Sequence, residues 1–81
     1  EPFRIYPNPV SDVLYVEWLD QKKSVQSIQL YTANGEFIHD ISLNLESDHL
    51  RIATSHLLPG VYMLRITSTN EIYTRQLVKM H

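Results

Sequence analysis

The sequence predicts an all-β domain, an antiparallel sandwich of about seven short strands. Three observations carry this expectation. Apolar residues recur with a period of two along almost the whole chain, and no stretch spaces them at i, i+3, i+4 and i+7 as a helix face requires. Turn signals separate the alternating runs at regular intervals: Pro7-Asn8-Pro9, Asn34-Gly35, Pro59-Gly60 and Ser68-Thr69-Asn70. The two glycines, Gly35 and Gly60, both fall at such turns, where the missing Cβ has a backbone use.

Residues 3–6 make a short first strand. It stops at Pro7-Asn8-Pro9, because two prolines flanking an Asn cannot sit inside a ladder; the segment is a turn or a sheet-edge corner. Ser11 and Asp12 continue the break. Residues 13–19 form the second strand, with Leu14, Val16 and Trp18 on one face and Tyr15 and Glu17 on the other. The polar and charged run 20–24 is a loop. Residues 25–31 are the third strand, with Ile28 and Leu30 on a common face. Thr32-Ala33-Asn34-Gly35 then gives the strongest hairpin signal, since Asn-Gly is a favoured pair for positive φ and apolar alternation resumes on both sides. The return strand, 36–41, should pair antiparallel with the third. In 42–48, Leu43 and Leu45 alternate with polar residues, so the segment either extends that strand or starts another. Residues 49–53 make a short strand with Leu50 and Ile52 inward, and 54–58 connect onward as a loop or a single helical turn.

Pro59 suits the first central position of a type II turn and Gly60 the second, which needs φ > 0. The strand that follows is the richest in β-branched and aromatic residues. Tyr62, Leu64 and Ile66 share one face and Val61, Met63, Arg65 and Thr67 the other, the pattern expected of a central strand. Ser68-Thr69-Asn70 closes a hairpin into a final strand, 71–80, carrying Ile72, Leu77 and Val78.

A chain of 81 residues is one domain. At this size only about 60–65% of the unfolded surface is buried, so the core is small. No cysteine is present to staple it, which fits passage through an oxidising compartment as well as many cytosolic domains. A net charge of −2 without a basic stripe argues against nucleic acid, so no nucleic-acid partner is expected. No apolar run approaches the roughly 18–20 residues of a membrane span, so no membrane insertion is expected. The chain begins at Glu1 with neither Met nor a signal-peptide core, and is expected to be a fragment of a longer protein.

Four histidines raise the question of a metal. His39 and His49 adjoin Asp40 and Asp48, His56 follows Ser55, and His81 is terminal; none has the paired spacing of a ligand set, so no metal or cofactor is expected. Ser, His and Asp are present, but there is no G-x-S-x-G elbow, no thiol and no room for a walled cleft, so no enzymatic activity is expected. Trp18 and the tyrosines at 6, 15, 31, 62 and 73 could form a sugar-stacking platform, with Tyr15 and Tyr73 the candidates for exposure; the plainer reading has Trp18 and Tyr62 filling the core. Arg75 and Lys79 read either as edge-strand gatekeepers or as a recognition tail captured by strand addition.

Taken in order, the motifs resemble a known family. Tyr6-Pro7-Asn8-Pro9-Val10-Ser11-Asp12-Val13-Leu14-Tyr15-Val16 resembles the opening Y-P-N-P-x-x-D-x-L-x-V block of the type A C-terminal sorting domain of the type IX (Por) secretion system. The stretch from Leu30 to Glu36, containing Gly35, resembles its central hairpin, and Leu57-Leu58-Pro59-Gly60-Val61-Tyr62-Met63-Leu64-Arg65-Ile66 its L-x-x-G-x-Y-x-L-x-V segment. Gln76-Leu77-Val78-Lys79-Met80 resembles the closing apolar run beside a lysine, although His81 stands where the family often carries further Lys or Arg. The resemblance implies an Ig-like β-sandwich without catalytic activity, carried at the C-terminus of an exported cargo protein. Such a domain passes through the periplasm and directs its cargo through the outer-membrane translocon, and a sortase-like peptidase removes it at the cell surface. The cargo then stays on lipopolysaccharide or is released. Most signature residues read as fold-specifying: Pro7, Asn8, Pro9, Gly35 and Gly60 through backbone angles, and Leu14, Val16 and Tyr62 through packing. Recognition is expected at Leu77, Val78 and Lys79 and at exposed parts of the first turn, by strand addition. The competing reading is a carbohydrate-binding or fibronectin-like accessory module of an extracellular enzyme. An uncovered edge strand also leaves open a weak homodimer.

Overall fold

The computed structural model describes residues 3–18, 25–43 and 49–81. They form seven strands, β1 (Phe3–Tyr6), β2 (Val13–Trp18), β3 (Val25–Thr32), β4 (Phe37–Ile41), β5 (His49–Ala53), β6 (Gly60–Ser68) and β7 (Ile72–Lys79). One sheet has the order β1-β2-β5 and the other β4-β3-β6-β7, with every strand pair antiparallel. The chain lays down β1 and β2, crosses to the second sheet for β3 and β4, returns for β5, and crosses back for β6 and β7. These crossings make a Greek-key sandwich of the immunoglobulin type.

The period of two decides which side chains meet between the sheets. Phe3, Leu14, Val16 and Ile52 from the smaller sheet face Ile28, Leu30, Leu64, Ile66 and Leu77 from the larger one, and all are buried. At about 1.5–3 kcal/mol for each fully buried aliphatic or aromatic side chain, this set is the main stabilising term. Trp18 and Tyr62 pack against the set as partly buried residues, as expected of core fillers.

The register of β7 separates its apolar residues, and the turn expectations are corrected. Ile72 stands opposite Thr67 on the outer face of the larger sheet and is exposed, and Val78 stands opposite Val61 on that same face. Of the three apolar residues in the final strand, only Leu77 therefore enters the core. The Asn-Gly pair does not form the centre of a two-residue turn. Gly35 N–H donates to the Thr32 carbonyl (2.9 Å) and Thr32 N–H to the Glu36 carbonyl (2.9 Å), which centres the turn on Ala33 and Asn34. Gly35, at φ +91°, is then the bulge residue of a three-residue hairpin. The return strand starts at Phe37, and the pairing shifts register between Leu30 and Tyr31.

Gly60 is likewise not the second central residue of a type II turn. Its φ is +152°, and it already pairs with Lys79 as the first residue of β6. The tight turn lies earlier, where Leu57 N–H donates to the Thr54 carbonyl (3.0 Å); residues 54–57 form this turn and no helical one. From there the chain swings through a broad corner held by the Tyr62 hydroxyl, which donates to the Leu58 carbonyl four residues upstream (2.6 Å). This is the tyrosine corner of immunoglobulin-like sandwiches. Ser42 and Leu43 lie outside the strands, and the questions over 44–48, Leu19 and the 20–24 loop fall outside the described residues.

Candidate functional site

The features not explained by simple alternation gather around the end of β7. After Tyr6 the chain leaves the smaller sheet and crosses the side of the sandwich; the Tyr6–Pro7 and Asn8–Pro9 peptide bonds are both cis. Pro7-Asn8-Pro9 is thus the sheet-edge corner, and its target is the outer edge of the last strand. The Asn8 side-chain amide brackets that edge, with Nδ2 donating to the Gln76 carbonyl (2.9 Å) and Oδ1 accepting from Val78 N–H (2.9 Å). Two residues on, Val10 N–H donates to the Val78 carbonyl (2.8 Å) and the Val10 carbonyl accepts from Met80 N–H (2.7 Å), a parallel bridge. A carboxamide carries the same donor and acceptor as a peptide group. Asn8 therefore stands in for main chain at a place where the flanking prolines have no N–H to give. The Val10 side chain is fully buried beneath it.

On the other side of the same strand, Gly60, Val61 and Tyr62 pair with Lys79, Val78 and Leu77. The opening block and the L-x-x-G-x-Y block thus grip the closing block from both edges. Thr54 ties them to each other. It is 1% exposed, its N–H donates to the Asp12 carbonyl (2.8 Å), and its hydroxyl donates to the Ser11 carbonyl (3.1 Å). Asp12 takes part through its main chain, and its side chain is exposed. Sequence reasoning misses both Thr54 and the bonding role of Asn8. The available signal is an amide side chain set between two residues without main-chain donors.

Lys79 is not a solvent-facing gatekeeper. It is 6% exposed, and its ammonium donates to the Met80 carbonyl (2.6 Å). Arg75 folds over aromatic rings instead of projecting, with its guanidinium carbon 5.0 Å from the Phe3 centroid and 5.9 Å from that of Tyr73. Simple strand addition at residues 76–80 is closed, because the corner already fills that edge. Leu14 and Val16 lie in the core, and Gly35 lies apart from the convergence. It borders a shallow groove of about 350 Å³ on the outer face of the larger sheet, shared with Tyr31, Ala33, Met63, Arg65, Ile72 and Thr74.

The tyrosines do not make a platform. Tyr15 is stacked on Tyr6 across the β1–β2 pair, with centroids 5.6 Å apart. Arg4 lies 5.7 Å over the Tyr6 ring and pairs with Glu17 (2.7 Å), whose hydrogen bond and charge raise the guanidinium pKa. Tyr73 packs edge-on against Phe3 at 5.0 Å and bonds to the Glu71 carboxylate. The two expected exposed rings therefore belong to different sheets, each already in contact with another ring. His39 and His56 approach to 5.6 Å between ring centroids, yet among the described residues no group of three His, Cys, Asp or Glu side chains could hold a metal ion. Among those residues no helix is long and apolar enough to cross a membrane.

A family model described as the secretion system C-terminal sorting domain matches residues 4–80, from the second residue of β1 to the residue after β7. No curated protein matches the chain.

Proposed function

This chain belongs to the secretion system C-terminal sorting domain family, and we propose that it is the type A sorting signal of a larger secreted protein, carried at the C-terminus of that protein. Membership makes the domain a sorting module of a non-catalytic family and implies export towards the cell surface. On this reading the upstream cargo is passed through the type IX outer-membrane translocon, and a sortase-like peptidase then cuts the domain away.

The observation that carries the proposal is the convergence of three separated sequence blocks on β7. Asn8 and Val10 hold one edge, and Gly60, Val61 and Tyr62 hold the other. A receptor that reads the end of the chain would thereby read a strand whose geometry the rest of the signature fixes. Leu14, Val16, Leu77 and Lys79 serve that geometry from inside, while Tyr6, Pro7, Asn8 and Pro9 present an exposed surface beside the half-buried Val78. The accessory-module reading loses its main support with the dispersal of its aromatic residues.

The test is a fusion of residues 1–81 to a periplasmic reporter in a cell with a working type IX system. Export of the reporter with removal of the domain is expected. Retention in the periplasm, while an established sorting domain exports the same reporter, overturns the proposal.

A further inference from the structure

We infer that the outer edge of β7 at residues 76–80 is a docking site for an extended strand of a partner protein, and that the 7–10 corner is its resting occupant, displaced when the partner binds. For the partner's setting, the export machinery, this rests on the sorting-signal reading; the edge chemistry stands without it.

The edge offers four main-chain groups in a row, the Gln76 carbonyl, Val78 N–H, Val78 carbonyl and Met80 N–H. A continuous strand satisfies such a row with its own backbone. The corner does so with one side chain and one residue, and Val10 is its single bridge to β7. It also covers only part of the edge. The alternation that turns residues 76, 78 and 80 outward turns Ile72 and Thr74 outward too. Among the described residues no segment pairs with that half, and the Thr74 carbonyl takes only the adjacent Arg75 guanidinium (3.0 Å). An incoming strand can therefore start at Ile72 and Thr74 and replace the corner bond for bond.

The corner is attached in a way that allows this. At one end Tyr6 is held by its pairing with Tyr15, and at the other Ser11 and Asp12 are held by Thr54. Residues 7–10 can thus swing between two fixed anchors while the core strands stay paired. The vacated place also specifies the partner. It must be an extended segment lying parallel to β7 in the register of Val10, with a small apolar side chain to fill the space from which Val10 withdraws.

Two measurements test this. In amide exchange on the 81-residue domain, Val78 and Met80 are expected to exchange at least about tenfold faster than Leu64 and Ile66, with little dependence on dilute denaturant. Such behaviour marks a local opening rather than global unfolding. Exchange of Val78 and Met80 only together with Leu64 and Ile66 overturns the inference. Because the chain has no cysteine, Val10→Cys with Lys79→Cys can lock the corner by a disulfide in the oxidising periplasm. The doubly substituted fusion, folded by circular dichroism, should export at least about tenfold less when its disulfide is formed than when the same fusion is kept reduced. Equal export by the oxidised and reduced forms overturns the inference and leaves the sorting function standing. Failure of the unsubstituted fusion would instead count against the sorting function, and the exchange result alone would then decide the inference.

Discussion

The two glycine-bearing turns close in opposite ways. The hairpin at Gly35 is self-contained. Its bonds run among Thr32, Gly35 and Glu36, including one from Glu36 N–H to the Thr32 hydroxyl (3.1 Å). The corner at Gly60 depends on distant chain. Thr54 reaches back to Ser11 and Asp12, and Gly60 itself pairs with Lys79 near the other end of the sequence. A turn closed by neighbours can form early and alone, whereas a corner closed by residues more than forty positions away forms only when the sheets meet. The first organises one hairpin, and the second fastens the whole sandwich.

Substitutions can break or sharpen this contrast. The largest effect is expected where distant blocks meet. Leu77→Ala should cost about 3 kcal/mol in chemical denaturation, since the side chain is 1% exposed and leaves a cavity between the sheets. A cost below about 1 kcal/mol would mean that the end of β7 is not integral to the core. Next come the glycines. Gly60→Ala should cost about 2 kcal/mol, because a strand residue at φ +152° occupies a region close to Gly-only. Gly35→Ala should cost about 1 kcal/mol at φ +91°, and Gly35→Asn less, because Asn tolerates left-handed backbone. A Cβ added at either glycine would meet no atom within 4 Å, so backbone strain alone sets this order. Reversal of the order would remove the contrast.

Thr54→Val should cost about 1–1.5 kcal/mol by leaving the Ser11 carbonyl without its partner. Tyr62→Phe should cost about 1 kcal/mol for the lost bond to Leu58. If the corner acts as one clasp, combining these last two should cost less than their sum; strict additivity would show two independent fastenings.

The same contrast explains what can be read from the sequence. Alternation locates all seven strands and assigns the inward faces of β2, β3, β5 and β6, because period two is a property of each strand alone. It assigns no face to Ile72, which only the register of β7 places outside. Both glycine turns are recognisable as turns, but their geometry is not. At Gly35 one bulge residue shifts the turn, and at Gly60 the Tyr62 hydroxyl opens it into a broad corner. The convergence on β7 is not legible at all. Which residues share a block is written in the sequence, but that Asn8 lies against Val78 depends on how two sheets stack. Lys79 shows the same limit, since a lysine beside the chain end reads as solvated until its neighbours bury it.

That buried lysine turns the end of the chain into a mass-readable clock. Trypsin must bind an extended, accessible segment around the Lys79–Met80 bond, yet the lysine side chain is covered and Met80 is tied to Val10. In the 81-residue domain, release of residues 80–81, followed as a small loss in intact mass, would time each excursion of the last strand without any label being attached.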